Sequence, residues 1–248
     1  MITEQIKQAP NCAGIYKFLD KKSQIIYIGK AKNLRKRLSS YLDSKKISGK
    51  TKRMMSLAVR FETISTASEV EALILECNLI KKFQPRYNVI FRDGKTFPYI
   101  LISKNHDFAR ITKYRGEKTK REGRYFGPFT NTRDVNLTID ILRKIFRLRN
   151  CSDGEFARRK KPCLEYQIKR CAAPCVGLVD KQDYDELMSG ALNFLAGKNS
   201  QIQKKLQQKM RSASKNKDYE KAAIYRDQIS ALCAISGNNK NNTKNGFS

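Results

Sequence analysis

Two short runs rich in β-branched and aromatic residues, Gly14-Ile15-Tyr16-Lys17-Phe18 and Gln24-Ile25-Ile26-Tyr27-Ile28-Gly29, flank the polar stretch Asp20-Lys21-Lys22-Ser23. That pattern predicts a β-hairpin. Side chains alternate between faces along a strand, so Gly14, Tyr16 and Phe18 share one face while Ile25, Tyr27 and Gly29 share a face of the partner strand. Both tyrosines can then look the same way. After Gly29 the period changes: Leu34 and Leu38 lie one helical turn apart, which predicts a short basic helix over Lys30–Leu38. Asn33, Arg37 and Tyr41 fall on a different stripe from those leucines.

Phe61–Thr66 reads as a third strand. Ser68 followed by Glu71 has the capping-box spacing and opens a helix to about Phe83, with Ala72, Leu75, Leu79 and Ile80 as its apolar stripe. Glu76 lies inside that stripe, which puts a carboxylate at a rim or in a site. Gln84-Pro85 ends the helix. Strand patterns return at Tyr99–Ile102, Ala109–Thr112 and Tyr125–Phe129, and a helical period runs from about Thr132 to Leu148. Beyond Asp180 the chain reads as helical to about Ile235, with two amphipathic segments flanking the turn Lys215-Asn216-Lys217 as an αα-hairpin. A hairpin of this size does not bury its apolar face alone. Leu206, Met210, Tyr219, Ala222, Ala223, Ile229 and Leu232, with Arg226 beside them, are therefore expected to meet the rest of the chain or a partner.

The fold class expected is α/β in the α+β sense. Residues 1–92 form a small domain with a mixed sheet flanked by helices, 93–150 a connecting α/β region, and 151–180 a region with four cysteines. Residues 181–236 are helical, with the hairpin at about 201–236, and 237–248 form a disordered tail rich in Asn and Lys.

Charge narrows the function. The 248 residues hold 51 Lys and Arg against 23 Asp and Glu, a formal net charge of +28. On a folded chain with 40% hydrophobic residues that excess creates a broad positive potential, for which nucleic acid is the expected polyanion. The cations are spread along the whole chain rather than gathered on an amphipathic helix, which disfavours a membrane surface. No apolar stretch approaches the ~20 residues of a membrane span. Met1–Pro10 is too polar for a signal peptide, so a soluble cytoplasmic protein is expected. The chain's one histidine, His106, excludes an HExxH zinc site or a multi-histidine centre and reads as a solvated turn residue. Acid–base work would fall to Tyr, Lys, Glu, Asp or Cys.

Gly14-Ile15-Tyr16 followed by Tyr27-Ile28-Gly29, then Lys30, Arg37, Glu76 and Asn88, resembles the GIY-YIG nuclease module. The longer strings YIGKAKNLRKRL, ILECNLIKKFQPRYN and YFGPF are similar to the amino-terminal half of the UvrC family of excinuclease subunits in bacterial nucleotide excision repair. The resemblance implies that 1–92 is an endonuclease domain in which Tyr16, Tyr27 and Tyr41 are active-site tyrosines. Lys30 and Arg37 would be its basic residues, Glu76 its metal ligand and Asn88 its site-supporting asparagine. It implies incision of damaged double-stranded DNA on the 3′ side of the lesion. The family's second half, an RNase H-like nuclease and helix-hairpin-helix motifs, has no counterpart here, so 5′ incision is not expected of this stretch.

The residue chemistry agrees with that picture. Glu76 suits a single hard divalent ion, Mg²⁺ or Mn²⁺, which commonly keeps several waters. Lys30 and Arg37 suit phosphate oxygens, and Tyr27 is the best base available, although a free tyrosine has a pKa of about 10. Taken singly, Tyr16 and Tyr27 also read as core aromatics and Glu76 as a surface acid of its helix. The corresponding alternative is a non-catalytic DNA- and partner-binding module.

Cys151, Cys163, Cys171 and Cys175 cluster in the strings KKPCLEYQIKRC and CAAPCVG and just before them, while Cys12, Cys77 and Cys233 lie apart. Disulfides are not expected in a cytosolic chain. Four thiolates can close a metal site, and spacing alone favours zinc. The resemblance implies a [4Fe-4S] cluster, which four thiolates also hold. Unligated cysteines are the remaining reading. Lys217–Ile229 resembles the UVR motif, which implies docking to a UvrB-like helicase subunit.

Overall fold

The structure, a computed structural model, describes residues 2–43, 48–88, 97–119 and 121–236. The expected tail at 237–248 and the expected boundary at 92/93 lie outside the described residues. The chain divides into two compact units, Met1–Ile90 with Ala234–Ser248, and Phe91–Cys233.

The first unit runs α1 (Ile2–Lys7), β1 (Gly14–Leu19), β2 (Ile25–Ala31), α2 (Leu34–Ser39), α3 (Gly49–Leu57), β3 (Arg60–Ser65) and α4 (Glu69–Phe83). Its sheet has the order β2-β1-β3, and both pairings are antiparallel. This corrects the expected mixed sheet. β2 and β3 run the same way, but β1 lies between them, so no parallel ladder forms. The alternation along β1 assigns two cores. Tyr16 and Phe18 pack with Ile6, Leu34, Leu38 and Met54, whereas Ile15 packs with Ile28 and with Ala72 of α4. Burying each of the larger apolar side chains contributes roughly 1.5–3 kcal/mol.

Two local features position the site. The ladder of β2 continues through Ile15↔Lys30 and Gly14↔Ala31, so Lys30 and Ala31 are strand residues rather than the start of the expected basic helix. That helix opens later, at Leu34, where Asn33 caps it by accepting the Lys36 N–H at 2.9 Å. In α4 the Ser68 hydroxyl accepts the Glu71 N–H at 3.1 Å, while the Glu71 carboxylate accepts the N–H of Ala67 rather than that of the cap. Gln84 then adopts a left-handed conformation, φ 44°, and turns the chain out of the helix before Pro85.

The second unit holds β4 (Tyr99–Ser103), β5 (Ile111–Tyr114) and β6 (Gly123–Phe126), an antiparallel sheet of order β5-β4-β6. β5 begins two residues later than expected and β6 ends at Phe126. α5 (Thr132–Phe146) packs on β5 and on α8 (Lys181–Leu195). Between them lie α6 (Asp153–Arg158), α7 (Leu164–Gln167) and a 3-10 turn at Pro174–Val176. His106 is half-buried in its turn, its Nδ1 accepting the Phe108 N–H at 3.0 Å and its ring lying 4.6 Å from that of Phe156, so it is not the solvated residue expected.

α9 (Asn199–Lys215) and α10 (Tyr219–Ser236) form the expected hairpin, and α9 packs on α8. Leu206, Ala213 and Leu232 are buried, so the chain itself covers part of the hairpin's apolar face, whereas Tyr219 stands 68% exposed. Among the described residues no helix is long and apolar enough to cross a membrane.

Candidate active site

The register of the first hairpin places Tyr16 opposite Gly29 and Phe18 opposite Tyr27. A Cβ on Gly29 would lie 2.5 Å from both Cζ and Oη of Tyr16, so the Tyr16 ring lies across a position that only glycine can fill. The ring is 6.0 Å from that of Tyr27 and 5.9 Å from that of Tyr41. The Tyr16 and Tyr41 hydroxyls are hydrogen-bonded at 2.7 Å, Arg37 Nε donates to the Tyr16 hydroxyl at 3.2 Å, and the guanidinium lies 5.1 Å over the Tyr41 ring. Leu34 and Leu38, fully buried, anchor α2 so that Arg37 and the following Tyr41 meet this cluster. Tyr27, Arg37 and Tyr41 line a cavity of about 520 Å³ with Ser40, Ser48, Lys50, Thr51, Met54 and Tyr87.

Glu76 and Asn88 meet β2 along its outer edge instead, at Lys30 and Ile28. Glu76 is 8% exposed, and its Oε1 accepts the backbone N–H of Lys30 at 2.8 Å. The Lys30 ammonium lies 3.9 Å from Glu69 at the start of α4. The Asn88 carboxamide accepts the Ile28 N–H at 2.8 Å and donates to the Ile28 carbonyl at 2.7 Å.

Burial, with the neighbouring Tyr41, pushes the Tyr27 phenol up to about 12, and burial raises Tyr16 as well. The protein's own surroundings therefore oppose the Tyr27 phenolate. Sequence reasoning missed the lining contributed by α3, of which Lys50 is the cationic member. The signal for it was Ser48, whose hydroxyl accepts the Thr51 N–H at 3.3 Å as an N-cap.

In the second unit the four clustered cysteines stand near enough for Cys151, Cys163 and Cys175 to raise the thiol of buried Cys171, which burial chiefly pushes up to about 11. Ala173 N–H donates to Cys171 Sγ at 3.4 Å. Their local structures differ: Cys163 precedes α7, Cys175 sits in the 3-10 turn, and Cys151 follows the buried Arg149. Among the described residues no group of three or more His, Cys, Asp or Glu side chains is arranged to hold a metal ion, so the expected closed four-thiolate site is not formed as the side chains stand. Cys12, Cys77 and Cys233 likewise form no disulfide among the described residues.

A central hairpin bearing Tyr16 and Tyr27, a basic helix behind it and a carboxylate on α4 define a domain of the GIY-YIG class. Residues 12–89 match the UvrC-like GIY-YIG domain, 97–194 the UvrC/Cho excinuclease middle domain and 200–233 the UvrB/uvrC motif. The chain is 49% identical over 235 residues to UvrABC system protein C of Rickettsia prowazekii, covering 95% of this chain and 37% of that protein. To the same protein of Wolbachia sp. subsp. Drosophila simulans it is 48% identical over 229 residues, covering 92% and 38%. The GIY-YIG N-terminal endonuclease domain of UvrC from Thermotoga maritima, solved with magnesium as its catalytic divalent cation, is 47% identical, with a TM-score of 0.33, over 35% of this chain and 94% of that one. The chain belongs to the UvrC family and spans a little over a third of the length of the curated relatives it matches.

Proposed function

We propose that this chain is the incising amino-terminal part of a UvrC-type excinuclease subunit, hydrolysing a phosphodiester of damaged duplex DNA on the 3′ side of the lesion. The observation that carries the reading is the convergence of Tyr27, Tyr41 and Arg37 on one cavity, with Tyr16 hydrogen-bonded behind Tyr41 and Arg37 and Glu76 fixed to β2 through the Lys30 N–H.

In this reading Arg37, already oriented by the Tyr16 hydroxyl, binds a phosphate oxygen. Lys30 supplies a second cation, and Tyr41 holds Tyr16 and the guanidinium in place. Tyr27 would take the proton of the attacking water only as the phenolate, which burial opposes and which the neighbouring cations and a divalent ion held at Glu76 would have to favour, its own proton passing to solvent. Glu76 fits a single hard cation: it is one oriented, nearly buried carboxylate, the donor type Mg²⁺ or Mn²⁺ accepts. Such an ion, when bound, offsets the charge that builds on the phosphate. The non-catalytic alternative is disfavoured by the presence of all seven motif residues, Tyr16, Tyr27, Lys30, Arg37, Tyr41, Glu76 and Asn88.

The α9–α10 hairpin is read as the docking element for a UvrB-like helicase subunit, with exposed Tyr219 and Arg226 at its surface. The four cysteines are read as ligands of a [4Fe-4S] cluster, with zinc as the other occupant of such a donor set; their thiol chemistry and mutual proximity support this, and their side chains must re-aim to close around either. A visible spectrum of anaerobically purified protein decides between them, since zinc gives no absorption there.

The decisive test is nicking of an end-labelled, lesion-bearing duplex preloaded with the helicase subunit. A 3′ cut that requires both Mg²⁺ and Glu76 is expected. Cutting that survives Glu76→Ala, or that proceeds in EDTA, overturns the reading.

A further inference from the structure

Between Arg158 and Arg170 the second unit carries six exposed cations, Arg158, Arg159, Lys160, Lys161, Lys169 and Arg170. The one acid in this stretch, Glu165, is already engaged at 2.5 Å by Arg143 of α5. Between the two basic clusters, α7 and the residue after it expose three large apolar side chains: Leu164 at 66%, Tyr166 at 40% and Ile168 at 48%. Neither feature belongs to the tyrosine cluster of the first unit, and thiol chemistry at Cys163 and Cys171 requires neither.

The two features together select a ligand. Phosphates of any nucleic acid would satisfy the cations. A regular duplex, however, keeps its base faces stacked and offers the apolar side chains nothing. A single strand presents both at once, phosphates along the backbone and unstacked base faces beside them. We propose that Arg158–Arg170 is a second DNA-contacting surface of this chain and that it holds a single-stranded segment, its cations on phosphates and Leu164, Tyr166 and Ile168 against bases. This surface is distinct from the tyrosine and Glu76 site and does not depend on the nuclease reading.

The test measures binding of the full chain to labelled oligothymidine and to a duplex of equal length over a range of salt. All the side chains concerned are exposed, so an unchanged circular dichroism spectrum and melting temperature are expected for the variants. Lys160→Gln/Lys161→Gln/Lys169→Gln is expected to flatten the slope of log K against log salt by about 2, at roughly 0.7 per phosphate contact on a single strand. Leu164→Ser/Tyr166→Ser/Ile168→Ser is expected to weaken single-strand binding by about tenfold, with the salt slope and duplex affinity unchanged. An unchanged slope in the first variant, or equal losses on both DNAs in the second, overturns the proposal. So does equally tight binding to vesicles of phosphatidylserine and phosphatidylcholine that is lost in the same variants, which would assign the surface to lipid headgroups. A chain that binds as expected but fails to nick overturns the nuclease reading alone.

Discussion

The Asn88 carboxamide pairs with both backbone polar groups of Ile28, 60 residues away, accepting its N–H and donating to its carbonyl. β2 is an edge strand, and its outward-facing groups would otherwise be open to pairing with another chain. The same edge is closed on either side of Ile28. Tyr87 N–H donates to the Ile26 carbonyl at 3.0 Å, and the Lys30 N–H goes to Glu76. The strand that presents Tyr27 and Gly29 is therefore held in place by the segment after α4 and by α4 itself. Site geometry and edge protection are one arrangement.

Asn88→Ala removes both partners of Ile28 at once. Each unsatisfied buried backbone group costs about 1–3 kcal/mol and two are left, so a loss of at least that size in urea unfolding is expected. Nicking should fall further than stability accounts for, because Tyr27 and Gly29 flank the freed residue. Asn88→Asp retains the acceptor but loses the donor and is expected to fall between the two. A fully folded, fully active Asn88→Ala would show that the edge needs no such clamp.

Gly29→Ala would place a methyl group 2.5 Å from the Tyr16 ring and 2.9 Å from that of Tyr27. No rotation of a methyl relieves that overlap, so the Tyr16 ring must swing and give up its bonds to Tyr41 and Arg37. Overpacking of this kind costs about 1–3 kcal/mol. The expected result is a folded protein that nicks at least a hundredfold more slowly while duplex binding changes little. Wild-type nicking by Gly29→Ala would mean that the Tyr16–Tyr41–Arg37 contacts are dispensable.

Burial sets an alkaline limit. The Tyr27 phenol ionises at about 12 in the fold, against about 10 in an unfolded chain. The unfolded chain therefore loses this proton first. Stability is intact below pH 10, declines between pH 10 and 12, and the loss from this residue approaches ~2–3 kcal/mol. Tyr27→Phe should show a shallower fall over the same window, by about one proton, in urea midpoints measured from pH 9 to 11.5. Parallel curves for the two proteins would mean that Tyr27 is not held neutral by its surroundings.

The local parts of this architecture were legible because their signals lie close together in the chain. The hairpin with Tyr16 and Tyr27, the Ser68 cap and the carboxylate at Glu76 each follow from a strand period, a cap residue or a helical stripe within a few positions. What stayed hidden depends on distant partners. Lys30 reads as helical from its basic neighbours, yet the ladder to Ile15 keeps it in the strand and so delivers its N–H to Glu76. The Asn88–Ile28 pairing has no local signature, and the antiparallel sheet depends on which edge of β1 receives β3. The cysteine spacing pointed to a metal but not to how the loops around Cys163 and Cys175 direct their thiols.

Gln228 illustrates another kind of hidden feature. It is 3% exposed in α10, and both ends of its carboxamide lack a hydrogen-bond partner. Replacing such a group by an apolar one of similar size removes a desolvation penalty of about 1–3 kcal/mol. Gln228→Met is expected to raise the thermal midpoint of the chain. A lower midpoint would show that the amide is satisfied in solution.

Arg149 would be read from this very basic sequence as one more solvated cation, yet its side chain is 0% exposed. Its Nε donates to the Phe108 carbonyl at 2.6 Å, its Nη1 to the Cys151 carbonyl at 3.2 Å and its Nη2 to Asp153 at 2.6 Å, while the guanidinium lies 4.8 Å over the Phe156 ring. Its backbone N–H donates to the Tyr184 hydroxyl at 3.1 Å, which in turn donates to the Ala109 carbonyl. One residue thus ties the loop before β5, Cys151 and α8 together. Arg149→Met keeps the volume but leaves the Phe108 and Cys151 carbonyls without their donors, and Arg149→Lys cannot reproduce the planar fork that reaches three acceptors. Asp153 is half-exposed and left alone would be solvated, so the cost lies in the two carbonyls deprived of their donor, about 1–3 kcal/mol, and both variants are expected to lose about that much in urea unfolding. The Asp153 carboxyl, held below the usual carboxylate range chiefly by its bond to Arg149, adds a sign to the test. Its contribution is present above the ordinary carboxylate pKa and is lost as the pH falls, so the gap between wild type and Arg149→Met should narrow at acid pH. A loss below about 1 kcal/mol, or a gap that widens with acid, would show that the guanidinium is not the tie between these three segments.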